Sequence, residues 1–359
     1  MKSAVLKMFG ESLQIENLPD PVLGSGEVIV DVMAAPILSY MKEVISGERQ
    51  YLFDLPQVPG AGAVGRVRAV GPDSTRLSVG DWVLCDPTVR SRDGALIPDI
   101  TLQGLSARGE GGLKLQKHFR HGSFAEQMRI PTENAIPLGS VNEADVARWC
   151  AVSILLVPYG GLLAANLQPG ETVLVSGATG NFGSACVALA LAMGAGCVVA
   201  PGRNELALED LSRRFGPRVR TVRLSGREDK DCTNMQKAGS GSIDCVLDIL
   251  PPSASTKPVR AAVMSVRPYG RVVLMGGVGM LGGPDLEIPY PWIMRNCITI
   301  RGQWMYPMEA PSKLISLVRA GLLSLNQFEV STFSLDQANE AVEHAAANAG
   351  PFRMTVIQP

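Results

Sequence analysis

The sequence predicts an α/β fold, in which a doubly wound parallel sheet with helices on both faces is joined to a second, β-rich domain. Three observations predict this fold. Short β-branched runs alternate with helix-like segments from about residue 141 onwards, short strands of alternating polarity fill the first third, and a glycine-rich turn follows the first strand of the alternating region. Parallel strands that are covered on both faces have continuous apolar runs, because neither face meets water.

The alternating region supplies the elements of the parallel sheet. The predicted strands are 171–176, 197–200, 218–222, 243–248, 271–275 and 297–301, and the predicted helices are 183–193, 206–215 and 259–266. After Pro311 the pattern gives a helix, a strand at 330–333, a helix at 335–347 and a closing strand at 354–357. We therefore expect an open sheet of six strands, followed by a short mixed tail.

The first third has the period of half-buried strands. Apolar and polar residues alternate in 26–32, 63–71 and 79–84, whereas 87–121 is rich in Gly, Arg and Asp and is predicted to be a loop. A chain of 359 residues is too long for one hydrophobic core and is typical of two domains.

Composition gives no reason to expect a polyanionic partner. The net charge is −1, so neither nucleic acid nor an anionic membrane surface is expected to bind. The densest basic cluster alternates with apolar residues and is interpreted as a solvated face; it consists of Arg213, Arg214, Arg218, Arg220 and Arg223.

Cysteine usage and the N-terminus favour a cytoplasmic protein. The seven cysteines nowhere form a Cys-x-x-Cys pair, which fits reduced, buried thiols. The N-terminus has no signal-peptide apolar core. Residues 150–168 carry no charge and approach the length needed to cross a bilayer. Because Pro158, Gly160 and Gly161 interrupt them, we interpret the segment as a buried helix.

The turn between the first strand and helix of the alternating region predicts a dinucleotide site. It consists of Gly177, Ala178, Thr179, Gly180, Asn181, Phe182 and Gly183. Glycines at the first, fourth and seventh positions allow a tight turn and a close approach of the backbone to a pyrophosphate, which the helix N-terminus attracts. The alternative is a tight turn that binds no ligand.

The end of the second strand indicates which dinucleotide is bound. NAD enzymes usually place an acid there, but this chain has Gly202, Arg203 and Asn204. Gly202 leaves room for a 2′-phosphate and Arg203 can pair with it. We therefore expect NADPH rather than NADH. The alternative is that Arg203 is a solvated residue at a helix start.

With these residues, the chain resembles the medium-chain dehydrogenase/reductase superfamily along nearly its whole length. Six stretches carry the resemblance, namely 26–30, 59–67, 79–83, 122–126, 168–175 and 333–338. The resemblance implies a GroES-like domain formed by both ends of the chain (1–135 and 306–359) around a Rossmann cofactor domain (136–305). It also implies a homodimer or homotetramer.

The chain departs from the zinc alcohol dehydrogenases of this superfamily at the metal ligands. Leu38 stands where they have Cys, and Gly60-Ala61-Gly62 stands where they have Gly-His-Glu. Their third ligand falls near Ser153; Cys150 is close to it, but one thiolate cannot make a site that needs three ligands. No cysteine lies between 86 and 122, where their structural zinc lobe falls. The three histidines (118, 121 and 344) lack ligand spacing, so no zinc is expected.

Without a metal, the site must donate a proton from a side chain or from water. Tyr40 is the first candidate, since it falls two positions after the lost Cys, where zinc enzymes hold a Ser or Thr that relays a proton. Tyr51 is the second, by similarity to enoyl reductases with a Tyr soon after the equivalent of Gly47. Either tyrosine could instead line the pocket or the core. Leu250, Gly276 and Gly277 lie at carboxyl ends of strands, where they could flank the cofactor.

Zinc-independent relatives of this superfamily include quinone oxidoreductases and enone reductases. The leading hypothesis is therefore an NADPH-dependent reductase of an activated C=C bond or a quinone. The alternatives are an NADPH-dependent ketone or aldehyde reductase without zinc and a non-catalytic nucleotide-binding protein.

Overall fold

A computed structural model describes all residues, 1–359, and its internal contacts divide the chain into two compact units. The first unit contains Met1–Ser153, Leu325–Ala349 and Arg353–Pro359. The second contains Ile154–Ser324 and Gly350–Phe352. Both ends of the chain thus belong to the first unit.

The first unit is built mainly of strands. Its elements up to residue 149 are β1 (Lys2–Val5), β2 (Gln14–Asn17), β3 (Glu27–Ile37), α1 (Met41–Ser46), β4 (Ala63–Val70), β5 (Trp82–Cys85), β6 (Thr88–Arg90), β7 (Ile100–Leu102), β8 (Ser106–Ala107), α2 (Gly109–His118), β9 (Gln127–Pro131), β10 (Ala135–Pro137) and α3 (Val146–Trp149). The next helix, α4 (Ala151–Ala164), leads into the second unit.

The second unit alternates strands and helices. Its elements are β11 (Thr172–Ser176), α5 (Asn181–Ala192), β12 (Cys197–Gly202), α6 (Glu205–Phe215), β13 (Val219–Arg223), α7 (Glu228–Ala238), β14 (Cys245–Asp248), α8 (Thr256–Met264), β15 (Arg271–Leu274), α9 (Tyr290–Arg295), β16 (Thr299–Gly302) and α10 (Ala310–Arg319). The chain then returns to the first unit with β17 (Glu329–Ser334), α11 (Ala338–Ala347) and β18 (Arg353–Gln358).

The main sheet of the first unit joins the two ends of the chain. Its strand order is β10-β5-β4-β3-β18-β17, and β9 also pairs with β3. The last strand, β18, lies antiparallel to β3, with Ile357 opposite Ala35 and Thr355 opposite Ile37. The position of the chain after Ile37, which includes Tyr40, is therefore set by a strand from the other end of the sequence.

The segment 87–121 is not the loop that the sequence predicts. It contains the three-stranded sheet β6-β7-β8 and the ten-residue helix α2. The helix has three glycines in its first turn, which give it a poor intrinsic propensity. Two of these glycines are packed so closely that no side chain would fit. A Cβ on Gly111 would overlap the Asp99 carboxylate, and a Cβ on Gly112 would overlap the carbonyl of Ile100.

The second unit has the predicted doubly wound sheet. All six strands are parallel, in the order β13-β12-β11-β14-β15-β16. The sheet thus grows in both directions from β11, and the order reverses between β11 and β14. In open sheets of this kind, ligands bind beyond the carboxyl ends of the strands at that reversal. The α/β fold class is therefore confirmed, although the sequence missed the helices α7 and α9.

A buried apolar layer holds the helices on this sheet. Leu174, Val199, Val246 and Val272, one from each of four adjacent strands, belong to one cluster and have no exposed surface. Edge strand β16 is different, because all four of its residues are exposed.

Residues 143–164 form the one helical stretch that is long and apolar enough to cross a membrane, and 72% of its most apolar window is buried inside the fold. Within this stretch, a Cβ on Gly160 would overlap the carbonyl of Met305, and a Cβ on Gly161 would overlap the side chain of Leu247. Packing in which neighbouring atoms lie this close to the helix backbone is typical of a core helix. It agrees with the buried helix predicted from Pro158, Gly160 and Gly161.

The turn after β11 depends on one close contact. A Cβ on Gly183, in the first turn of α5, would overlap the carbonyl oxygen of Gly177 at the end of the strand. Gly177 has φ +97°, a backbone conformation that side chains disfavour. Helix α5 therefore lies directly on the turn, backbone against backbone.

We expect Gly183→Ala to lower the free energy of unfolding by about 1–3 kcal/mol, because the added methyl forces α5 away from the turn. Chemical denaturation of the protein without ligand measures this loss. Glu209→Ala, which changes an exposed residue of α6, is the control, and the change should stay within about 0.5 kcal/mol. Equal stability of Gly183→Ala and the parent protein would contradict the close contact.

Candidate active site

The turn between β11 and α5 has the geometry of an anion site. Gly180, the residue that precedes α5, is extended (φ −88°, ψ 174°), and no side chain caps the helix there. The amide of Gly180 bonds to the carbonyl of Gly177 at 2.9 Å, which closes the turn. The N-terminus of a 12-residue helix carries partial positive charge and attracts phosphate. The predicted turn residues 177–183 are therefore brought together in a form that fits a pyrophosphate.

The end of β12 lies beside this turn. A Cβ on Gly202 would overlap the methyl group of Thr179 and would lie 3.2 Å from its hydroxyl oxygen. Gly202 is thus small because the turn packs against it, and the space beside it is occupied by Thr179. The space for a 2′-phosphate that was predicted from the small size of Gly202 is therefore not at its Cβ position.

Arg203 and Asn204 follow directly and have different surroundings. Arg203 is exposed, and no protein group bonds to its guanidinium. Asn204 precedes α6 and caps it, since its side-chain oxygen accepts the amide N–H of Ala207 at 3.2 Å. Arg203 is therefore free to meet a ligand anion, whereas the side-chain oxygen of Asn204 already has a structural role.

A second cation lies at this edge, at an arginine that the sequence pattern placed on a solvated face. Arg223 ends β13 and stands in register with Gly202 of β12. Its guanidinium pairs with Glu205, the first residue of α6. The acid nearest to the end of β12 is thus compensated, which leaves Arg203 as the uncompensated charge. The pairing of residues 21 positions apart on two strands is not visible in the sequence. A basic residue at the end of a predicted strand is nevertheless a usable signal.

Asp248 ends β14 next to the turn, in register with Ser176 of β11. The residue is 3% exposed and its Oδ1 has no hydrogen-bond partner. Burial raises the pKa of Asp248 to about 6, although hydrogen bonds from the Ser176 hydroxyl and the Leu250 amide favour its ionised form. This acid is not apparent as a site residue from the sequence, where it is only the last residue of an apolar strand.

The other predicted cofactor residues of the second unit gather around Asp248. A Cβ on Gly276 would lie 2.6 Å from Asp248 Oδ2 and 2.7 Å from the carbonyl of Leu250. The amide of Gly277 bonds to that same carbonyl at 2.8 Å. Leu250, Gly276 and Gly277 therefore form one backbone cluster at the carboxyl ends of β14 and β15.

In the first unit, the two predicted tyrosines come together. Tyr40 directly precedes α1, and its phenol shares a hydrogen bond with that of Tyr51. The guanidinium carbon of Arg49 lies 4.2 Å from the centroid of the Tyr40 ring. Arg49 is in turn bound to Glu43 of α1, with Nε 2.7 Å from Oε2.

This environment keeps Tyr40 protonated. Burial, together with the neighbouring Tyr51 and Glu43, raises the pKa of the phenol well above its ordinary value, and the positive charge of Arg49 opposes that rise. Because the raised pKa lies far above neutrality, Tyr40 remains a hydrogen-bond and proton donor throughout the physiological pH range.

The positions that carry zinc ligands in zinc alcohol dehydrogenases do not fit a metal here. A Cβ on Gly62 would lie 3.4 Å from the hydroxyl of Ser153, and neither position offers a thiolate, imidazole or carboxylate. The buried thiol of Cys150 accepts a hydrogen bond from Val64, and burial raises its pKa, which disfavours the thiolate that a metal needs. Nowhere in residues 1–359 do three His, Cys, Asp or Glu side chains come together as a metal site.

Comparisons with known proteins agree with this architecture. Residues 24–140 match the alcohol dehydrogenase GroES-like domain family. A sorbitol dehydrogenase from Bacillus subtilis (strain 168) is 26% identical over 361 residues, which cover 96% of this chain and 93% of that protein. An acryloyl-coenzyme A reductase from Metallosphaera sedula is 27% identical over 293 residues, 81% of each chain.

A solved structure shows the same fold. The structure of a zinc-binding dehydrogenase from Sinorhizobium meliloti 1021, bound to NADP, has a TM-score of 0.81 with this chain at 19% identity. The match covers 100% of this chain and 99% of the other. These similarities do not support the expected placement in the quinone oxidoreductase branch, because the similar proteins include sorbitol, alcohol and L-threonine dehydrogenases.

Proposed function

We propose that this chain, an oxidoreductase similar to the medium-chain dehydrogenases and reductases, is an NADPH-dependent reductase that works without zinc and delivers hydride to an activated C=C bond. One observation carries the proposal. The Tyr40–Tyr51 pair supplies a protonated phenol in a unit whose metal-ligand positions are Leu38, Gly60-Ala61-Gly62 and Ser153.

The second unit would hold the cofactor. Backbone N–H groups at the start of α5 would bind the pyrophosphate, Arg203 would pair with the 2′-phosphate, and the cluster of Leu250, Gly276 and Gly277 would flank the rest of the dinucleotide. When bound, NADPH supplies the hydride. The exposed, unpaired state of Arg203 and the compensation of Glu205 by Arg223 support NADPH over NADH.

The first unit would supply the proton. As hydride reaches the electrophilic carbon of an enone, negative charge develops on the carbonyl oxygen. The Tyr40 phenol would donate a hydrogen bond or its proton to that oxygen, and the hydrogen bond with Tyr51 orients the phenol. Arg49, stacked on the Tyr40 ring, would stabilise the phenolate that is left after proton transfer.

A ketone or aldehyde reductase is the second candidate. Tyr40 could protonate a carbonyl oxygen equally well, and the similar sorbitol dehydrogenase indicates chemistry at a C–O bond. The similar acryloyl-coenzyme A reductase indicates chemistry at a C=C bond conjugated to a carbonyl. We favour the C=C bond because zinc, the usual activator of a simple carbonyl in this superfamily, has no ligand set here.

Self-association and a cytoplasmic location belong to the same proposal. Edge strand β16 exposes all four residues, and exposed edges are normally covered or paired. A homodimer or homotetramer would cover it.

A substrate panel tests the proposed reaction. NADPH oxidation should be faster with 2-cyclohexen-1-one than with cyclohexanone, because only the enone has an activated C=C bond. Faster turnover of cyclohexanone would favour the ketone reductase. No turnover of any enone, quinone or ketone, with NADPH binding intact, would favour a non-catalytic protein. Metal analysis of the purified protein should find zinc below one equivalent; stoichiometric zinc would contradict the zinc-free mechanism.

We expect Arg203→Ala to weaken NADPH binding by about 10-fold or more and to change NADH binding little, because only NADPH carries the 2′-phosphate. Fluorescence titration of both cofactors measures the two dissociation constants. Arg213→Ala is the matched control, since it removes an exposed arginine of α6 that pairs with Asp210. Equal losses for NADPH and NADH would remove Arg203 from the phosphate site.

We expect Tyr40→Phe to lower turnover by ~10²–10⁴-fold, because the proton donor is lost. Tyr51→Phe keeps the donor but loses its orientation, so its loss should be smaller. NADPH affinity should stay the same in both variants. Tyr269→Phe, an exposed tyrosine of the second unit, serves as the control. An unchanged rate in Tyr40→Phe would indicate that water donates the proton.

A further inference from the structure

The carboxyl edge of the central strands contains one acid that the proposed mechanism does not use. No titratable side chain occurs in the turn 177–183, in the loop 249–256 or in the loop 275–284. Asp248 is therefore the one titratable group at the carboxyl ends of β11, β14 and β15 and in the segments that directly follow them. It is connected to the turn through Ser176, whose hydroxyl bonds to the carboxylate and whose next neighbour is Gly177.

We propose that Asp248 is a positioning residue that links dinucleotide binding to a proton: the protonated acid favours the bound dinucleotide, and binding takes up a proton. This inference rests on the proposed cofactor site. The chemical class of ligand is any molecule with a pyrophosphate, since the effect arises from the negative charge of the phosphates.

The burial of Asp248 makes the effect strong. The side chain is almost fully removed from water and Oδ1 has no donor, so an ionised carboxylate there is poorly compensated. A pyrophosphate held at the adjacent turn adds negative charge, and like charges raise the pKa of a carboxyl group. The free carboxyl already has a pKa of about 6 because of burial, so the bound complex would hold its proton near neutrality.

Other titratable groups do not account for the raised pKa of Asp248. In the neighbouring strands, Ser176 and Leu274 stand opposite Asp248. At the other end of these strands lies a separate charged cluster, about 10 Å away along the strand, which consists of Glu171, Asp244, Cys245, Arg267 and Arg271.

The helices that cover the sheet add few titratable groups near Asp248. Burial raises the pKa of Cys186 on α5 and of Tyr159 on α4, so both stay neutral where Asp248 titrates. On α8, Arg260 pairs with Glu228, and Lys257 is exposed. None of these charges contributes to the pKa of Asp248, which is set by burial and by the hydrogen bonds from Ser176 and Leu250.

The direction in which dinucleotide affinity changes with pH follows from the higher pKa of Asp248 in the bound state. Below the pKa of the free protein, Asp248 is protonated in both states and affinity does not change with pH. Between the pKa values of the free and bound states, binding takes up a proton, so the dissociation constant rises with pH by up to tenfold per unit. Above both values the carboxylate is ionised in both states and the weaker affinity is constant.

ADP-ribose is the probe for this test, because it has the pyrophosphate but neither a 2′-phosphate nor a nicotinamide ring that would add its own charge. Isothermal titration calorimetry between about pH 5 and 8, in buffers of different ionisation enthalpy, gives the dissociation constant and the number of protons taken up. We expect the dissociation constant of the parent protein to rise about threefold or more over this range, with proton uptake near neutrality.

Three variants separate the linkage from a structural role. Asp248→Asn should show tight, pH-independent binding without proton uptake. Ser176→Ala removes a hydrogen bond that favours the carboxylate, so the pH at which affinity falls should move upwards; this variant also tests the inference if Asp248→Asn does not fold. Asp244→Asn changes an acid at the opposite end of the same strand and should keep the parent profile.

The outcomes distinguish this inference from the proposed function. If ADP-ribose binds with the same affinity at every pH, or if Asp248→Asn keeps the pH profile of the parent protein, the linkage is wrong and the cofactor site stands. If neither ADP-ribose nor NADPH binds at any pH, the cofactor site is wrong and the linkage fails with it.

Discussion

The close approach of α5 to the end of β11 is the contact on which the second unit depends. Gly183 lies against the carbonyl of Gly177, and no side chain fits between them. Because the helix begins directly on the turn, its N-terminus lies at the carboxyl end of β11, where helix N-termini attract phosphate. The same approach brings Thr179 onto Gly202 and so fixes the end of β12 beside the turn. One backbone contact thus sets the geometry of both predicted phosphate positions.

The first unit places its chemistry by a different means. Tyr40 follows β3, whose position is set by pairing with β18 from the other end of the chain. Tyr51, which follows the helix α1 and the turn at Gly47, contacts the phenol of Tyr40, and Arg49 stacks on the Tyr40 ring. A protonated phenol, its hydrogen-bond partner and a cation are thus held together. This arrangement suits proton donation to an oxygen that gains negative charge.

The sequence pattern was sufficient to locate those strands whose burial on both faces leaves a continuous apolar run. It located all six strands of the parallel sheet within a few residues. It missed α7, a polar helix with only two buried residues, Asp231 and Met235, because the apolar signal there is weak. It was wrong at 87–121, since the glycines of α2 suggest a loop, whereas in the structure two of them lie in a helix packed against Asp99 and Ile100. The composition of a segment does not report contacts of that kind.

The sequence by itself determined the fold class and the glycine turn at 177–183, because both depend on which residue types stand at which spacing. The absence of zinc, which is expected because Cys, His and Glu are missing at the ligand positions, remains a proposal. The predicted roles of Tyr40, Tyr51 and Arg203 remain proposals. The tertiary structure decided that Tyr40 bonds to Tyr51, that Arg223 lies beside Gly202, and that Asp248 is a weak acid next to the turn. These features depend on distances between residues far apart in the chain and on the exclusion of water, and neither is written in a local pattern of residues.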